Sequence, residues 1–82
     1  MTAKEALEVA TAHNGGSPQI DPTVHDELPP NCSVHQTWKA GECWHILSDQ
    51  DRRKYVLRSS RLIVVRKSDG SVLYNGEAND EG

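Results

Sequence analysis

Apolar positions along this chain change their spacing from one stretch to the next, and each spacing predicts a different element. Ala3, Ala6, Leu7 and Ala10 recur at three and four residues, which puts them on one stripe of a helix. Thr2-Ala-Lys-Glu5 ahead of them is a capping box, in which the threonine hydroxyl accepts the Glu5 amide and the carboxylate reaches back to the cap. Asn14-Gly15-Gly16 closes the element, because glycine takes the left-handed C-terminal conformation without steric cost. The pattern predicts a helix over 3–13 whose contact face is mostly alanine and suits close packing on a sheet.

The next stretch, 17–31, holds every proline of the chain: Pro18, Pro22, Pro29 and Pro30. Proline removes an amide donor and fixes φ, so neither a long helix nor a central strand fits. Asp21-Pro22 has the form of a single-turn helix start, and otherwise the stretch reads as a long loop. From Cys32 the spacing becomes two. Val34, Gln36 and Trp38 alternate with Ser33, His35 and Thr37, and Cys43-Trp44-His45-Ile46-Leu47 follows Ala40-Gly41-Glu42. A hairpin pairing Lys39 with Cys43 puts Val34 and Trp38 on one face with Trp44 and Ile46. His35 and Thr37 then share the other face with Cys43 and His45, whereas a two-residue turn would mix the faces. Tyr55-Val56-Leu57 and Leu62–Val65 are further strand candidates. Asp69-Gly70 is the hairpin signal joining Leu62–Arg66 to Val72–Tyr74. The expected fold is α+β, a single domain over 1–82. An N-terminal helix packs on an antiparallel sheet of four or five strands over 32–75, and an acidic tail occupies 76–82.

One strand breaks the alternation. Leu62, Ile63, Val64 and Val65 are apolar on both faces, as in a strand covered on both sides. The pattern supplies only one helix as a cover. The second face must be met by the 17–31 loop, by a second copy of the chain, or by another protein. An uncovered apolar face marks an interaction site, so a small non-catalytic protein-binding module is the leading expectation.

Composition sharpens this picture. A chain of 82 residues is one domain that buries only about 60–65% of its unfolded surface, a thin margin that a partner would widen. No run approaches the roughly 20 apolar residues of a membrane span, and the N-terminus lacks the apolar centre of a secretory signal. No membrane partner and a cytoplasmic address are therefore expected. Cys32 and Cys43 are too few for a disulfide framework and are expected as free thiols. The net charge of −3 conceals a segregation, since seven of nine Lys and Arg residues lie between Arg52 and Lys67, where there is no acid.

Three kinds of chemistry can be weighed. Arg52, Arg53, Tyr55, Arg58, Arg61 and Arg66 are the candidate partner-binding residues, because an aromatic within a basic stripe is how single-stranded nucleic acid is held. Nucleic-acid binding is the alternative function, weighed against cations that merely guard an edge strand. The same stripe would also steer an acidic protein. Cys32, His35, Cys43 and His45 have the ligand chemistry for zinc. One residue between two ligands on a strand is tight for one ion, so no metal or other cofactor is expected. Cys43 with His35 or His45 would need a lowered thiol pKa and an orienting carboxylate, Asp49 or Asp51. The chain carries no Gly-rich phosphate loop, Gly-x-Ser-x-Gly elbow or His-Glu-x-x-His helix, and an enzyme is not expected.

The opening Thr2-Ala-Lys-Glu-Ala-Leu-Glu-Val-Ala helix resembles that of small bacterial modules of the PepSY and immunity protein 35 type. So do Cys43-Trp44-His45-Ile46 and the later Leu62-Ile63-Val64-Val65-Arg66-Lys67-Ser68-Asp69-Gly70-Ser71-Val72-Leu73. The likeness covers the helix and about the last forty residues and leaves 17–31 without a counterpart. It implies a helix on an antiparallel sheet and an inhibitory or protein-binding role without catalysis. It assigns no individual site residue.

Overall fold

The computed structural model describes residues 1–13, 20–39, 41–49 and 60–78. One helix, α1 (Ala3–His13), is followed by four strands, β1 (Ile20–His25), β2 (Cys43–Asp49), β3 (Arg61–Arg66) and β4 (Val72–Glu77). The strands form one antiparallel sheet in the order β1-β2-β3-β4, and α1 packs across β1, β2 and β3. The fold is α+β with four described strands.

The helix begins as its sequence dictates. The Glu5 amide donates to the Thr2 hydroxyl at 3.2 Å, and the Thr2 amide donates to the Glu5 carboxylate at 2.9 Å. The bond from the Thr2 amide, with the Thr2 side chain adding to it, holds the Glu5 carboxyl below its usual pKa. Ala6 and Ala10 are fully buried against Ile46, Ile63 and Val65, with Leu7, Val9, Val24, Trp44 and Val72 around them. With no side chain longer than a methyl group at the centre of the contact, the helix lies close on the sheet.

Two sequence expectations need correction. First, the proline-rich stretch is not all loop: β1 runs through Pro22. A proline is admissible there because β1 is an edge strand of the described sheet, paired with β2 alone among the described residues. The register also shifts between Ile20 and Thr23, and Asp21 takes φ 45°, a left-handed conformation that aspartate tolerates better than most residues. Second, Ser33 to Trp38 form no strand, and 32–39 is not the first arm of a hairpin. Residues 26–39, here called the strap, cross the face of the sheet opposite α1. Leu28, Cys32, Val34 and Trp38 turn down from the strap onto Cys43, Leu62, Val64 and Ala78. Val34 and Trp38 therefore lie on the opposite side of the sheet from Trp44 and Ile46. The alternation reported an extended chain resting on a sheet, not a strand within one.

The β3–β4 hairpin follows its turn residues. The Gly70 amide donates to the Arg66 carbonyl at 2.9 Å, and the Arg66 amide donates to the Ser71 carbonyl at 2.8 Å, with Gly70 at φ 75°. The Ser71 amide donates to Asp69 at 3.0 Å. Farther along, the register shifts between Val64 and Val65, and both Leu73 and Tyr74 pack on the strap side. Gly76 leaves room for the Tyr74 ring, since a Cβ there would meet the tyrosine oxygen at 3.1 Å. Tyr74 donates its hydroxyl to the Glu77 carbonyl at 2.7 Å. The expected acidic tail accordingly starts later than 76: Gly76 and Glu77 belong to β4, and Ala78 is fully buried. The expected strand at 55–57 lies outside the described residues.

Leu62, Ile63, Val64 and Val65 are all fully buried within the single chain. Full burial of such side chains stabilises by about 1.5–3 kcal/mol each. The missing cover is supplied by the strap, of which only the first residues belong to the 17–31 stretch. Met1 is the one large apolar side chain exposed among the described residues.

Candidate functional site

The strap leaves the sheet face through a turn at 39–42, where the Glu42 amide donates to the Lys39 carbonyl at 3.2 Å and Gly41 adopts φ 85°. The Lys67 amide then donates to the Glu42 carbonyl at 2.9 Å, which ties this turn to the end of β3. The corner so formed holds a cavity of about 410 Å³. Trp38, Cys43 and Leu73 line it together with the charged Lys39, Glu42 and Arg66. A second cavity of about 390 Å³ shares Glu42 and Arg66 and is completed by Lys67 and Ser68.

Arg66 projects to the strap side beside Cys43, its partner across β2 and β3. Among the described residues its guanidinium meets Asp69 at 3.2 Å, and both side chains are about half exposed. Such a pair is worth about 0–1 kcal/mol, and it uses one of the five guanidinium donors among the described residues. Lys67 is differently placed. Its ammonium pairs with Asp26 and sits over the Trp44 ring, 4.2 Å from the centroid. Trp44 in turn donates its indole N–H to the Met1 carbonyl at 3.1 Å. Arg61 is bound to Asn75, whose amide nitrogen donates to His13. Arg61 and Lys67 thus join elements of the fold. Arg52, Arg53, Tyr55 and Arg58 lie outside the described residues.

The four Cys and His candidates do not converge. Ser33 donates its amide to the Ala78 carbonyl, and Ala78 donates to Ser60, so Cys32 sits near the start of β3. Cys43 pairs with Arg66 at the other end of that strand. The two thiols are separated by on the order of 15 Å along β3, too far for one ion or a disulfide. His35 is exposed on the strap. His45 is fully buried, and both ring nitrogens have partners: Trp38 Nε1 lies 2.8 Å from Nε2, and the His25 carbonyl lies 3.4 Å from Nδ1. Among the described residues no group of three or more His, Cys, Asp and Glu could hold a metal.

Burial pushes the Cys43 thiol above its usual pKa, with nearby Arg66 opposing. A thiol held protonated is not an activated nucleophile. Burial likewise pushes the His45 pKa down, the bond to the His25 carbonyl opposing.

Sequence reasoning missed Trp38, Lys39 and Leu73 as parts of a site. One signal was present. A half-buried tryptophan needs an acceptor for its N–H, and His45 is the buried residue that meets it. Among the described residues no helix is long and apolar enough to cross a membrane. No protein-family model matches the chain, and no curated protein or solved structure is detectably similar to it.

Proposed function

We propose that the chain is a small, non-catalytic protein-binding module of an inhibitory or immunity-like kind, acting in the cytoplasm. Its contact site is the corner cavity between the strap and the β3–β4 hairpin, not the apolar face of the sheet. That face is closed by the strap, and the partner must therefore be met elsewhere. The observation carrying the reading is the cavity lined by Trp38 and Leu73 together with Lys39 and Arg66. Its volume falls within the range of about 300–1,000 Å³ typical of binding clefts. The occupant it suits is an acidic segment of another protein that anchors through one large apolar side chain. Two cations against one carboxylate favour an anionic head, and the indole and leucine accept the apolar stem.

Peptide display on the intact protein tests this, with counter-selection on a Lys39→Glu, Arg66→Glu variant. Enrichment of peptides that combine Asp or Glu with a large apolar residue, lost on the variant, is the expected result. Equal enrichment on both proteins would overturn the assignment of the corner. The alternative, nucleic-acid binding, keeps its support in the sequence at Arg52, Arg53, Tyr55 and Arg58. Of its remaining cations, Arg61 and Lys67 are occupied within the fold.

A further inference from the structure

The contact between Trp38 and His45 has a consequence independent of any partner. An indole N–H only donates, so the His45 Nε2 at 2.8 Å must be an unprotonated acceptor. The carbonyl of His25 only accepts, so the hydrogen of the ring belongs on Nδ1. The surroundings assign one neutral tautomer. A second proton would set N–H against N–H and place a cation where His45 is fully buried.

We propose that His45 is a pH-sensitive clasp for the strap: protonation of its imidazole releases residues 26–39 from the second face of the sheet and uncovers Leu62 and Val64. Among the described residues the carboxylate whose charge would favour the His45 cation is that of Asp26, and it is paired with Lys67. From the end of β1 come His25, whose ring bonds the Thr23 hydroxyl at 2.8 Å, and Asp26, which is held by Lys67. Lys67 itself, in the turn after β3, is a cation that disfavours a second one nearby. Cys43 on the same strand, Cys32 on the strap and Tyr74 on β4 share the cluster. The release is local because Trp38 is the hub of the strap's inner side. Its ring lies 6.0 Å from both the His45 and the Tyr74 rings, tilted at 44° and 43°. The helix face shares none of these contacts and keeps its packing.

The test follows the indole N–H resonance of Trp38 in the full-length protein, together with binding of a hydrophobic dye and sheet circular dichroism. The pH runs from about 7.5 to about 4.5, spanning the ordinary imidazole value of about 6.5. The expected result is a one-proton step in which the indole signal is lost and dye fluorescence rises while the sheet signal persists. His45→Gln, whose side-chain oxygen accepts the same indole N–H without titrating, should abolish the step, and His25→Gln should retain it. Should His45→Gln fail to fold, Trp38→Phe decides. It removes the donor but keeps the ring, and the step should move to higher pH. An unmoved step in the deciding variant would overturn the clasp. So would an indole signal constant through the range, or loss of the sheet signal in the same transition.

Discussion

The two faces of the sheet are buried to the same degree by different means. On one face a capped helix presses alanines onto Ile46, Ile63 and Val65. That contact is apolar, and the helix satisfies its own backbone groups. On the other face an irregular strap lays Leu28, Cys32, Val34 and Trp38 over Cys43, Leu62 and Val64, with His45 buried beneath. A strap has no internal ladder, so more of its anchorage falls on individual side chains, one of which can titrate. The comparison teaches that equal burial does not mean equal permanence. The helix face is held by area, while the strap face is held partly by a hydrogen bond between two rings.

The largest effects come from the core beneath each cover. Ile63→Ala, under the helix, should cost about 2–5 kcal/mol in urea unfolding, because a regular helix cannot collapse into the space left. Leu62→Ala, under the strap, should fall nearer the lower end of the range, since the strap can settle. Equal losses would mean that the two covers are equally rigid. Next comes pH. The folded pKa of His45 is lowered, so the unfolded chain binds the extra proton first as acid is added. The His45 contribution is present above the ordinary imidazole value, is lost as pH falls through that value toward the lower folded one, and is constant below both. Chemical denaturation repeated across that window should show this loss in the parent and not in His45→Gln. The smallest effect separates the helix from the strap altogether. Thr2→Ala removes the cap and should cost about 1 kcal/mol, lowering helical circular dichroism while the Trp38 indole resonance stays in place.

Some of this architecture was legible without coordinates. The start of α1 came from Thr2 and Glu5, whose preferences are local. The β3–β4 hairpin came from Asp69-Gly70, again a local matter of φ and of side chain to backbone bonding. The double-sided apolar run Leu62–Val65 signalled two covers correctly. Edge strand β1 was not legible, because a proline rule separates edge from centre only when the strand order is known. The strap was misread as a strand, because alternation at Val34 and Trp38 is the same whether the partner lies beside the chain or beneath it. The corner cavity draws on residues from 37 to 73 that no spacing connects. Cys32, His35, Cys43 and His45 looked like a set by proximity in sequence, and the length of β3 keeps the two thiols apart.

By itself the sequence determined the helix, its N-terminal cap, the last hairpin, the segregation of charge and the need for cover on two faces. Each of these depends on residues within a turn or two of one another, where conformational preference is decided by neighbours. Only the tertiary structure decided what lies on the second face, and that His45 is buried there against the Trp38 indole N–H. It decided too which groups Arg61, Arg66 and Lys67 meet. Those outcomes depend on which distant segments meet, and that choice belongs to the packing of the whole chain.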